Sequence, residues 1–208
     1  MATSYPISLP TSPTARQITF KPRSAVSASA SPLTFQPQSY VWSGQLWAAE
    51  VQLPPMARAN AEAWVAALVS LNASEGSFLL GDTANKTARG VATGTPLVNG
   101  GSQTGYDLVT DGWTNGVTGI LKAGDWIQLG SGNTARLYKV MADANSGATT
   151  GPATLTIWPK LRSSPANDAT ITVVSPMGKF MLAGDIDWSI DAAKIYGMSF
   201  SAVEDLRP

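Results

Sequence analysis

Only one segment of this chain carries the period of a helix: LPPMARANAEAWVAALVSLNASEG, residues 53–76. Pro54 and Pro55 stand at its entry, where a missing N–H costs nothing. Alanines carry it onward. Ala61, Trp64, Val65, Leu68 and Leu71 recur at helical spacing and form one apolar stripe. Asn72 and Gly76 supply the stop. The spacing predicts an amphipathic helix near 55–71, lying on a sheet. The rest of the fold must come from strands and turns, because 19 Gly and 14 Pro punctuate the 208 residues.

The strands fall into two textures. Residues 1–15 carry Pro6, Pro10 and Pro13 among Ser and Thr and read as an extended arm. Strand-like pieces broken by Pro22, Pro32 and Pro37 follow. Within them SAVSASAS, residues 24–31, is small and weakly polar, a flexible or edge segment. From Tyr40, YVWSGQLWAAEVQL alternates. Trp42 and Leu46 share one face, and Val41, Trp47, Val51 and Leu53 share the other. Neither face is polar, which predicts a strand covered on both sides. GSFLLGD adds a short strand after the helix.

Beyond residue 85 Gly, Thr and Asn dominate. LKAGDWIQLGSGNTARLYKV, residues 121–140, reads as a hairpin from a small barrel. Further strand-length runs lie at Thr95–Val98, Tyr106–Val109, ATLTIW and ATITVV. Strands at this spacing, separated by turn residues, predict a compact antiparallel barrel or sandwich. The final segment has a clean period of two. Ile186, Trp188 and Ile190 alternate with Asp185, Asp187, Ser189 and Asp191, and Tyr196, Met198, Phe200 and Ala202 alternate with small polar residues. These strands form a hairpin closed by DAAK, with one buried face, and pair with the early strands. The expected organisation is mainly β. Residues 1–85 and 180–208 form a β-sandwich with the helix packed on it, and residues 86–179 form an inserted small β-barrel.

Composition narrows the chemistry. The formal net charge is zero and charged residues make up 13%. With no basic excess, binding nucleic acid is not the main task. A weakly charged exterior suits a subunit inside an assembly. There are no cysteines and no histidines. Disulfides, thiolate zinc sites and Ser-His-Asp or Cys nucleophile machinery are therefore excluded. An enzyme would have to use carboxylates, Lys or Tyr, and no metal or cofactor is expected.

Asp185 and Asp187 point the same way on a strand, roughly 7 Å apart. Solvated strand-face acids are the expectation; a cation site or an acid pair for hydrolysis is the alternative. DIDWSID lacks the Gly and Glu of an EF-hand loop. GDTANKTARG, with Asp82, Lys86 and Arg89, is not a P-loop, and NGGSQTG precedes no helix. The N-terminus has no basic-then-apolar export signal, and no apolar run reaches eighteen residues, so neither export nor membrane insertion is expected. Of the seven tryptophans, Trp64 and Trp188 fit a core by their periodicity. Trp113, in DGWTNG, has a turn-like setting and is the expected exposed contact. Trp47 is a second contact candidate.

The ordering QSYVWSGQLWAAEVQLPPMARANAEAWVAALVSLNASEGSFLLGD, then a β insertion with LKAGDWIQLG, then IYGMSFSAVEDL resembles the distal tail and related tail-tip proteins of long-tailed bacteriophages and prophages. The features that carry the likeness span most of the chain, but they are matters of pattern and order and include no catalytic signature. The resemblance implies a tail-tube-like β-sandwich that forms a hexameric ring joining the end of the tail tube to the tip or baseplate. Its partners would be other copies of itself, the tube protein and the tip or hub proteins. DNA would pass through the ring as cargo without specific binding. The inserted barrel would face outward, toward neighbouring subunits, fibre proteins or glycans. Asp185, Asp187 and Asp191 are a candidate lining of the channel. The implied location is the virion tail, assembled in the host cytoplasm. Alternatives are a carbohydrate-binding module with exposed aromatics on the barrel, and a tube or other minor tail protein.

Overall fold

The computed structural model describes residues 4–207. Residues 1–3 of the expected N-terminal arm and residue 208 lie outside the described residues. In chain order the first elements are β1 (Ile7–Ser8), β2 (Gln17–Ala30), β3 (Pro37–Gln52), β4 (Met56–Ala57), α1 (Arg58–Val69) and β5 (Phe78–Gly81). Then come β6 (Gly94–Val98), β7 (Asp107–Trp113), β8 (Trp126–Leu129), β9 (Arg136–Val140), β10 (Ala153–Trp158) and β11 (Ile171–Thr172). The chain closes with β12 (Met177–Leu182), β13 (Asp187–Ile190) and β14 (Ile195–Glu204).

The protein is mainly β, with one packed helix and two sheets. The larger sheet has the order β1-β5-β12-β14-β3-β2, with β13 and β4 also on β14. The smaller runs β11-β8-β9-β10-β7-β6. Its ends meet where Leu97 bridges Thr170 and the Val98 N–H donates to the Ala169 carbonyl at 2.9 Å, which nearly closes it into a barrel. Its strands come from residues 94–172, whereas β12 belongs to the larger sheet from Met177 onward. The closing strand β14 pairs with β3, Phe200 opposite Val51 and Ala202 opposite Ala49. The last strand therefore completes the sheet that the first strands began.

Helix α1 covers the larger sheet with Ala61, Trp64 and Leu68, followed by Leu71. The chain leaves the helix through Asn72 and Ala73 at positive φ, and the Gly76 N–H donates to the Leu71 carbonyl at 2.7 Å. Trp64 packs near Phe200, ring centroids 6.5 Å apart. Its indole N–H is buried without a hydrogen-bond partner. An unpaired buried donor costs about 1–3 kcal/mol. Trp64→Phe therefore offsets much of its lost packing and changes stability by less than about 1.5 kcal/mol, whereas Trp64→Ala costs about 3–5 kcal/mol. Urea denaturation of both variants measures the contrast.

The N-terminal arm is tied down. Ile7 and Ser8 pair in parallel with Phe78 and Leu79, and the Tyr5 hydroxyl donates to the Ser70 carbonyl at 2.7 Å.

The β2–β3 hairpin outruns everything that could cover it. Near its base, Ile18, Phe20, Trp47, Ala49 and Val51 join the core. β14 accompanies β3 only from Ala48 to Gln52. Past a register shift between Ser24 and Val26, the hairpin continues from Val26 opposite Val41 to Ala30 opposite Pro37. Every residue of that outer part is exposed. This corrects the expectation of cover on both sides from Tyr40 onward, because the sheet and helix that provide the cover stop short. The SAVSASAS run forms the outer part of an edge strand.

Candidate interaction surfaces

Three surfaces of the larger sheet stand out. The first is its face opposite the helix. Along β14, Tyr196, Met198, Phe200 and Ala202 are buried while Ser199 and Ser201 are exposed. Register places Asp187, Ser199, Gln52 and Gln17 in one row across the strands, and Ser201, Glu50 and Thr19 in the next. Asp185 joins these residues around a shallow hollow of about 380 Å³. The Glu50 carboxylate is paired with Lys21. The structure thus brings Asp185 and Asp187 together on a neutral-to-acidic surface built from Ser, Thr and Gln. Asp191 does not join them. It sits in the β13–β14 turn, where its carboxylate accepts the Ile195 N–H at 2.8 Å. Among the described residues no group of three or more His, Cys, Asp or Glu is placed to hold a metal ion.

The outer arm is the second surface. Tyr40, Val41 and Trp42 are exposed, Trp42 to 57%, together with Val26, Leu33 and Phe35. Tyr40 and Trp42 pack edge-to-face with ring centroids 4.6 Å apart. Large apolar groups in water on an extended arm mark a contact surface.

The third is the β13–β14 hairpin. Its pairing follows the sequence expectation, Trp188 opposite Met198 and Ile190 opposite Tyr196. Its burial does not. All four residues of β13 are exposed, Trp188 to 42%. The alternation correctly places Trp188 and Ile190 on one face, but that stretch of face is left uncovered, so Trp188 is corrected from core to surface.

Trp113 is corrected in the opposite sense. It is 2% exposed, and its Nε1 donates to Thr110 Oγ1 at 2.8 Å, which in turn donates to the Ala153 carbonyl. Leu108 and Thr110 point inward by alternation. At Gly112, φ 72°, the alternation breaks and Trp113 turns inward as well; opposite it the β6–β7 register shifts, with the extra residue on β6 between Gly94 and Leu97. The only cue in the sequence is the Asp-Gly before the Trp. With Trp113 inside, Trp126 buried and Trp158 partly buried, the barrel presents no Trp platform for sugar.

Trp47 is a contact residue within the chain, 4% exposed between sheet and barrel. Its ring meets Trp158 at 4.4 Å, Trp126 at 4.9 Å and Phe20 at 6.3 Å, and its Nε1 donates to the Leu137 carbonyl at 3.1 Å. Beside it lies a buried ionic cluster that periodicity cannot disclose. The Glu204 carboxylate accepts from Arg162 Nε at 3.3 Å, from Arg162 Nη2, and from the Trp47 N–H at 3.2 Å. Asp205 accepts from Arg207 Nε and Nη2 at 2.9 and 3.0 Å and lies 3.6 Å from Lys179 Nζ.

Burial raises the Asp205 pKa, but the Arg207 hydrogen bonds and the Lys179 charge outweigh it and hold the group below its ordinary 3.8. A carboxyl depressed in the fold contributes stability that is complete above its unfolded value and is lost as pH falls through its folded value. Melting temperature is therefore expected to fall below pH 3.8, and Asp205→Asn to flatten that part of the profile.

The charged residues of GDTANKTARG, residues 81–90, do not converge on one site. Asp82 and Arg89 join Asp125 and Lys139 around a polar hollow of about 200 Å³ where the sheet meets the barrel. Asp125 accepts N–H groups from Arg89, Gly90 and Lys122 at 2.8, 3.1 and 2.8 Å. Lys139 lies 4.0 Å over the Trp126 ring, and burial lowers its pKa. Asp82 closes a turn through the Ala84 and Asn85 N–H groups. Lys86 lies elsewhere, beside an apolar hollow of about 290 Å³ under the N-terminal arm. The carboxylates of Asp82 and Asp125 thus organise loops.

Comparison with protein-family models and with curated proteins finds no match for the chain. Among the described residues no helix is long and apolar enough to cross a membrane.

Proposed function

We propose that this chain is a structural subunit of a long-tailed bacteriophage tail, specifically a distal tail protein that forms a hexameric ring between the tail tube and the tip. The observation that carries the proposal is the outer β2–β3 arm, which holds Tyr40, Val41 and Trp42 exposed, with none of the described residues covering them. Such an arm suits a protein completed by neighbours. The order of elements along the sequence supports placing those neighbours in a phage tail. The polar face with Ser199, Ser201, Gln52, Asp185 and Asp187 suits a channel wall. Around the hollow the groups are neutral or acidic, with Lys21 neutralised by Glu50, so they offer DNA few counterion-releasing contacts. The barrel would sit outside, toward tip, hub or fibre proteins. A tube subunit or another minor tail protein would use the same surfaces within the same assembly.

Negative-stain images of the purified chain, alone and with its tail tube protein, test the proposal. Annular particles with a central opening are expected. Fields of isolated monomers in both samples would contradict it.

A further inference from the structure

Two open margins of the larger sheet, those of β2 and β13, differ in charge. Among the described residues β2 pairs only with β3, and β13 pairs only with β14. Each therefore has one row of backbone N–H and C=O groups without a strand partner. Proteins blunt such margins with charges, prolines or bulges. β2 does so at its base, with Lys21, Pro22 and Arg23, and at the register shift between Ser24 and Val26, but not beyond it. From Ser24 through Ser31 it carries no charge and no proline, and every one of residues 24–30 is exposed. An exposed, uncharged strand edge, here Val26–Ala30, is a template for strand addition.

Charge indicates what adds to it. Arg16, Lys21 and Arg23 lie along β2 and its approach, with no acid from residue 16 to 31. Lys21 is engaged by Glu50, whereas Arg23 has no ion-pair partner among the described residues. Along residues 183–191 the balance is reversed: Asp185, Asp187 and Asp191 with no base, the next being Lys194 in the turn. One margin is basic and the other acidic, and both belong to the same sheet.

We propose that the open edge of β2 in one copy adds to the open edge of β13 in a second copy, so that copies join head-to-tail through opposite margins of one sheet. This rests on the proposal above that the chain self-assembles. A heterologous contact of this kind leaves one free edge at each end of any open chain of copies, and it closes only as a ring. It also brings the exposed Trp188 and Ile190 up to a partner, at a margin its own helix leaves bare.

The test uses two full-length variants. R23E/S27E reverses the β2 edge and D185R/D187R reverses the β13 edge. Each places like charge against like across the contact. Each alone is therefore expected to weaken self-association on the order of 100-fold and remain monomeric in mass photometry. An equimolar mixture is expected to associate again. The two unaltered edges meet as in the parent, and the two reversed edges face each other with opposite charge. If a double variant loses cooperative unfolding, A28E or D187K takes its place. Variants that assemble like the parent overturn the edge assignment while leaving self-assembly standing, as does a mixture that stays monomeric. A parent chain that never associates overturns both.

Discussion

Glu204→Ala is expected to cost about 3–5 kcal/mol of folding stability, the usual penalty for breaking a buried ion pair from one side. The carboxylate is sequestered, and it satisfies both the Arg162 guanidinium and the Trp47 N–H. Removing it leaves the guanidinium of Arg162, a side chain only 10% exposed, without its counter-charge, and a buried backbone donor without an acceptor. The loss is therefore a desolvation cost, and removing the cation as well relieves part of it. The double variant Arg162→Met with Glu204→Leu is expected to lose less than Glu204→Ala alone. Urea unfolding followed by tryptophan fluorescence measures all three. A Glu204→Ala midpoint equal to that of the parent would mean that the pair contributes nothing.

Trp47→Ala has an effect of similar size through a different cause. It removes a large indole from between sheet and barrel, and such truncations cost about 3–5 kcal/mol. The Leu137 carbonyl also loses its donor. Because this ring is shared by Phe20 of the sheet and by Trp126 and Trp158 of the barrel strands, its loss loosens the junction and leaves the Phe20–Trp126 contact to hold it. Calorimetry is expected to resolve two transitions where the parent gives one. Trp47→Phe should keep a single transition. A single transition in Trp47→Ala, shifted by less than about 2 °C, would correspond to well under the expected loss and would mean that the junction is held elsewhere.

These two sites also mark the limit of what sequence discloses here. The helix is legible because Ala61, Trp64, Leu68 and Leu71 repeat at its period and bury together. The hairpins are legible because alternation and turn residues agree, as at Trp126–Val140 and Asp187–Glu204. Alternation fixes which side chains share a face; it does not reveal where the cover over that face stops. Trp188 and Tyr40–Trp42 read as buried for that reason, and they lie where helix and sheet have run out. The inversion at Trp113 turns on one glycine, whose positive φ moves the side chain from one face to the other. The Glu204 cluster joins residues 157 and 42 positions apart in the chain, so no local pattern announces it.

The candidate surfaces are partly legible. Asp185 and Asp187 do share a polar face, as their spacing demands. The arm is recognisable as small and weakly polar, yet its full exposure depends on β14 reaching only Ala48 of β3.

Sedimentation velocity of the full chain across a micromolar concentration series tests the central claim most directly. The account predicts a discrete species of about 130 kDa, six copies of the 21.7 kDa chain, growing at the expense of monomer. A single monomeric boundary at every concentration, unchanged by addition of its tail tube protein, would contradict it.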